Sequence, residues 1–100
     1  MGDYKDAMVD GKYDVILDIR PWFLQERIEA KILDIIADVI EEQLGRNKVV
    51  LVHSEHGLER APVVVAWFMV KKKRARDMDE AYNVIRIDRS QVVDRRKWIV

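Results

Sequence analysis

The 100-residue sequence predicts an α/β fold, a small parallel sheet with helices packed on it, and three observations carry that prediction. Two short apolar runs, at 13–19 and 48–53, have the length and the aliphatic content of buried or half-buried strands. Between them lies a long amphipathic stretch of four-residue period, the kind of connection that parallel strands require. A second, almost unbroken apolar stretch follows the second strand directly. It predicts a helix buried on most sides.

In chain order, residues 1–11 are polar apart from Ala7 to Val9 and read as a poorly ordered lead-in, or as residues left by expression, since Asp-Tyr-Lys-Asp resembles part of a purification epitope. Gly11 permits a turn into the first strand, Tyr13 to Ile19, at whose carboxyl end stand Asp18, Arg20 and Pro21. Open α/β sheets place their ligands at such ends. A helix is expected over 22–44, with Ile28, Ile32, Ile36, Ile40 and Leu44 as its apolar stripe and Leu33, Ile35 and Val39 widening it. Trp22 and Phe23 would pack near its start or line a cleft beside Asp18, packing being the preferred reading. Gly45 would end the helix in a left-handed conformation. The whole unit reads as a right-handed βαβ crossover.

After the strand at 48–53 comes the loop His53-Ser54-Glu55-His56-Gly57-Leu58-Glu59-Arg60, and then a helix over 60–73 with Pro62 in its first turn, where a missing N–H costs nothing. Lys71, Lys72, Lys73, Arg74 and Arg76 gather at its far end, where cations complement the helix dipole. Asp77 and Glu80 have capping-box spacing and open a helix over 78–87. A last short helix is expected over 91–99, anchored by Trp98. Any further strand would come from the lead-in, from 83–88 or from a second chain, so a homodimer that completes the sheet is one expectation.

Composition narrows the function classes. One domain spanning 1–100 is near the small end for a chain that buries its own core, and 49% hydrophobic with 36% charged residues is a globular balance. Eighteen basic residues against eighteen acidic ones give no reason to expect nucleic acid or an anionic membrane as partner. Cysteine is absent, which excludes disulfides, thiolate metal sites and thiol catalysis. The two histidines and their neighbouring carboxylates lack a convincing metal-ligand set, so no metal and no cofactor are expected. With no signal-peptide pattern and no apolar stretch of spanning length, a cytoplasmic protein is the default reading.

A strand, a tight loop with a glycine and a helix N-terminus together make an anion cradle, to which Arg60 can add a planar fork for two phosphate oxygens. The segment Val-Leu-Val-His-x-x-x-Gly-x-x-Arg, followed by Ala-Pro-Val-Val-Val-Ala-Trp-Phe-Met, resembles the signature of the cysteine-dependent protein phosphatases, most closely their dual-specificity branch. The helix Met78 to Arg86 and the run Arg89-Ser90-Gln91-Val92 are similar to that family's next helix and turn, so the likeness is good over about 48–93 and looser before. It implies a phosphatase-like strand–phosphate loop–helix core, truncated or rebuilt on its N-terminal side. By that resemblance residues 54–60 (Ser54, Glu55, His56, Gly57, Leu58, Glu59 and Arg60) form the phosphate loop, His53 orients it, and Ser54 stands where the family has its nucleophilic Cys. Ala61 replaces the hydroxyl residue that supports the departing thiolate.

Asp18 is a candidate for the family's general acid, although it precedes Ser54 by 36 residues, more than the usual spacing. A carboxylate that holds nearby N–H groups at a helix start is the preferred reading. The resemblance thus implies a phosphatase-like domain that binds a phosphate, an oxyanion or a phosphorylated peptide without hydrolysing it, because a serine hydroxyl does not ionise near neutrality as a cradled thiol does. Two alternatives stay open. One is an engineered or de novo α/β scaffold with no natural function. The other is an esterase-like serine nucleophile at Ser54 served by His56, for which the Gly-x-Ser-x-Gly spacing is missing.

Overall fold

Strand β1, Val15–Asp18, and strand β2, Val50–His53, pair in parallel with Val15 opposite Val50 and Asp18 opposite His53. Both lie inside the predicted runs, and in a computed structural model that describes residues 13–54 and 58–100 they form a two-stranded sheet. The lead-in at 1–11 and the loop residues Glu55, His56 and Gly57 lie outside the described residues. Helix α1, Ala30–Gly45, makes the crossover between the strands. Helix α2, Arg60–Lys71, leaves the end of β2 and packs on α1 on one side and on helix α3, Met78–Asp88, on the other.

Helix α2 is the centre of the core, as its apolar run predicts. Its Val63, Val64 and Phe68 meet Leu33, Ile36 and Ile40 of α1, with Ile19 of the strand end and Trp98 joining them. Its Ala66 meets Ala75, Tyr82 and Val92 on the other side. Burial of those aliphatic and aromatic surfaces is the main favourable term that holds the layers together. The polar rim adds positional detail: Trp67 Nε1 donates to Asp34 at 2.9 Å, Lys71 pairs with Asp34 and Lys72 with Asp38 and Glu41. Three residues of the basic run and its approach therefore bind α2 to α1.

Five local expectations are corrected. The helix expected over 22–44 begins only at Ala30. Residues Arg20–Trp22 form a 3-10 turn, and Leu24 and Arg27 exchange backbone hydrogen bonds of 2.9 and 3.1 Å around a tight turn. A helix cannot start earlier because Ile28 and Ala30 spend their N–H groups elsewhere, on the carbonyls of Trp98 and Val100 at 3.0 and 3.1 Å. Ile35 and Val39, at 60% and 39% exposure, do not widen the buried stripe, because the face of α1 packed against α2 is that of Leu33, Ile36, Ala37 and Ile40.

Gly45 is the last helical residue of α1, and Asn47, at φ 60°, takes the left-handed position. Lys48 N–H reaches Gln43 and Asn47 N–H reaches Leu44, the paired bonds of a Schellman end. Residues 91–99 do not form a helix either. Only Arg96–Trp98 makes a 3-10 turn, because the Asp94 carboxylate takes the Arg96 N–H at 3.0 Å, and a local side-chain bond of that kind competes with helix. Ile99 then bridges to Ile28 in parallel. Residues 83–88 belong to α3 and supply no further strand. The cap of α3 is as expected on one side, Asp77 accepting from Glu80 N–H at 2.9 Å, while Glu80 reaches back to Arg76 N–H at 3.1 Å.

Candidate functional site

Parallel pairing sets the geometry. Asp18 and His53 end adjacent strands in register, so the first residue of the loop, Ser54, emerges beside the end of β1. His53 and Ser54 are buried, at 7% and 4% exposure. The Ser54 hydroxyl accepts a hydrogen bond from the Ala61 N–H at 3.3 Å, in the first turn of α2. It thereby satisfies one of the donors that every helix N-terminus leaves open, and Pro62 removes the need for another. Serine oxygen is thus held at the foot of a helix dipole whose positive end points at the loop.

Arg60 opens α2, and its guanidinium reaches back across the chain. Nη2 donates to the carbonyl of Gln25 at 3.2 Å, and Cζ lies 5.9 Å from the centroid of the Phe23 ring. Phe23 is buried, while Trp22 is 42% and Leu24 is 79% exposed. Gln25 has φ 57°, a conformation that costs a side-chain-bearing residue about 1 kcal/mol and that is kept where surrounding bonds fix it. The bonds between Leu24 and Arg27 do so here, and the turn presents an acceptor to Arg60. Neither Phe23 nor Gln25 is legible as a partner of Arg60 in the sequence, because both fall in a stretch that reads as helix.

The second limb of the loop is held from the C-terminal side. Val93 N–H donates to the Leu58 carbonyl at 2.9 Å, and Arg95 Nε meets the Glu59 carboxylate at 3.3 Å. Leu58 itself packs against the cluster around Tyr82 and Val92. Arg95 is missed by motif reasoning, although the likeness at 89–92 does point to this segment.

Asp18 is gripped by Arg20. Its carboxylate accepts from Arg20 Nε at 2.9 and 3.1 Å, from Nη2 at 2.6 Å and from the backbone N–H at 3.1 Å. The Arg20 side-chain bonds hold its carboxyl below the usual range, with burial opposing them and the Arg20 backbone N–H and charge assisting. That shift favours the charged form of the carboxylate. Among the described residues no three His, Cys, Asp or Glu side chains converge as a metal-binding group, and no helix is long and apolar enough to cross a membrane.

The comparisons agree with this arrangement of strand, loop and helix. A family model described as dual specificity phosphatase, catalytic domain, matches residues 7–99. No curated protein and no solved structure matches the chain. With almost its whole length matched and with the strand–loop–helix core in place, the chain belongs to the dual specificity phosphatase catalytic-domain family.

Proposed function

We propose that this is a phosphatase-like domain that holds a phosphate or a phosphorylated side chain at the loop 54–60 without hydrolysing it. The observation that carries the reading is the buried Ser54 hydroxyl at the start of the loop, bonded to the Ala61 N–H at 3.3 Å. Phosphoryl transfer to the protein needs a nucleophile already ionised, and in this family a thiolate supplies it. An alcohol in the same place has a proton affinity that a helix dipole and one arginine do not overcome. Binding needs less: the positive end of the α2 dipole and the Arg60 fork, which lies within reach of the turn at 23–25. In this reading Asp18 fixes the chain direction at the end of β1 through Arg20 and does not serve as an acid.

The test is an amide NMR titration with orthovanadate and with phenyl phosphate, read at Ser54, Arg60 and Ala61. Saturable shifts confined to these residues are expected. Arg60→Ala should weaken binding at least about tenfold, since hydrogen bonds to a charged group are worth about 1.5–3 kcal/mol. Ser54→Cys then asks whether a thiol at that atom restores hydrolysis of an aryl phosphate. No shifts at millimolar ligand would leave a scaffold whose loop binds nothing.

A further inference from the structure

Arg95, from the far end of the chain, is built into the phosphate loop. We propose that it is a positioning residue for phosphate binding: it draws the Glu59 carboxylate onto its own guanidinium and so keeps that charge off an anion gripped at Arg60. The inference rests on the phosphate-binding reading above.

Glu59 directly precedes Arg60, so a carboxylate stands one residue from the proposed clamp of a dianion. Among the described residues its ion-pair partner is not Arg60, whose guanidinium donates to the Gln25 carbonyl at 3.2 Å. It is Arg95, with Nε 3.3 Å from Glu59 Oε2. Nor is Arg95 a loose surface cation. Its guanidinium lies 5.3 Å from the centroid of the buried Trp98 ring, and its backbone N–H donates to the Tyr82 hydroxyl at 3.4 Å. Two residues earlier, Val93 N–H holds the Leu58 carbonyl at 2.9 Å, so the segment 93–95 fixes both the path of the loop and the direction of its acid. The neighbouring acid, Asp94, is taken by Arg96 at 2.6 Å, which leaves the Arg95 guanidinium to Glu59.

Phenyl phosphate titrations of wild type, Arg95→Gln, Glu59→Gln and the double variant, read at the amides of Ser54 and Ala61, test this. Removing Arg95 frees a carboxylate beside the bound dianion, and at surface dielectric and ordinary salt that weakens binding about fivefold. The double variant binds as Glu59→Gln alone does, whatever Glu59→Gln itself costs the loop, a rescue relative to Arg95→Gln that a merely structural role for Arg95 does not give. Three results overturn the inference: unchanged binding in Arg95→Gln, a loss relative to Glu59→Gln that persists in the double variant, or a tightening of about fivefold or more in Glu59→Gln alone. The last needs only a surface substitution and decides the matter if Arg95→Gln does not fold. Wild type that binds no phosphate overturns the functional reading and this inference together, an outcome distinct from wild type that binds while Arg95→Gln binds equally well.

Discussion

Tyr82 links stability, pH and the site, and its replacement by Phe gives a test with a change of sign. The side chain is 1% exposed, between the guanidinium groups of Arg86 and Arg96 at 5.8 and 5.7 Å from its ring centroid. Its hydroxyl accepts the Arg95 N–H at 3.4 Å. Burial pushes the phenol from its ordinary 10.0 up to about 12, against the lowering effect of that N–H. A raised value means that the folded protein holds the proton more tightly than the unfolded chain. The associated stability is therefore complete below about pH 10 and is lost as pH rises through about 12. The rise is worth about 2.7 kcal/mol when both states have titrated, and about half of that near pH 11.

Phe lacks the ionisation and the hydrogen bond but keeps the ring. Tyr82→Phe should accordingly be less stable than wild type near pH 8, by about 0.5–1 kcal/mol for one long hydrogen bond. Near pH 11 wild type has lost about 1.4 kcal/mol that the variant, with nothing to ionise, does not lose, so the order of the two reverses. Urea unfolding followed by tryptophan fluorescence measures both differences, and groups titrating in both proteins cancel. A gap that is the same at the two pH values would refute the burial argument.

The remaining predictions concern the acid side and the helix ends. The Arg20 hydrogen bonds hold Asp18 low, the Glu80 N–H holds Asp77 low, and at Asp94 burial works upward but the Arg96 bonds and charge outweigh it. Lowered folded-state values contribute stability that is present above the unfolded value of 3.8 and is lost as pH falls through the folded values. Unfolding titrations should thus show a decline that sets in below about pH 4, shallower in Asp77→Asn, where asparagine still caps but does not titrate. An unchanged slope in that variant counts against the cap as a source of acid sensitivity. Gly45→Ala should raise stability by about 0.5–1 kcal/mol, because it is helical and a methyl group there meets nothing within 4 Å. Asn47→Ala should lower it by about 1 kcal/mol, because alanine resists the left-handed conformation that Asn47 holds. Chemical denaturation of the two variants checks the assignment, and opposite signs from these would restore Gly45 as the helix stop.

What the sequence determined by itself is what local periodicity can encode. Val15 to Asp18 and Val50 to His53 alternate or cluster as strands must, Leu33, Ile36 and Ile40 repeat as one helical face, and Pro62 to Phe68 is apolar enough to be central. The spacing from His53 to Arg60 pointed to the family only together with the apolar strand before it, the apolar helix after it and the helix and turn at 78–92, all of them contiguous patterns in the chain. Only the tertiary structure decided where segments distant in sequence exchange hydrogen bonds. Residues 22–29 carry a helical pattern, yet Ile28 and Ala30 give their N–H groups to the C-terminal residues, and that exchange brings Phe23 and Gln25 to Arg60. Residues 91–99 likewise give up helix for bonds to Leu58, Glu59 and Ile28. Backbone donors take whatever acceptor the packed core delivers, and which one that is depends on the neighbouring segment rather than on the residue's own sequence.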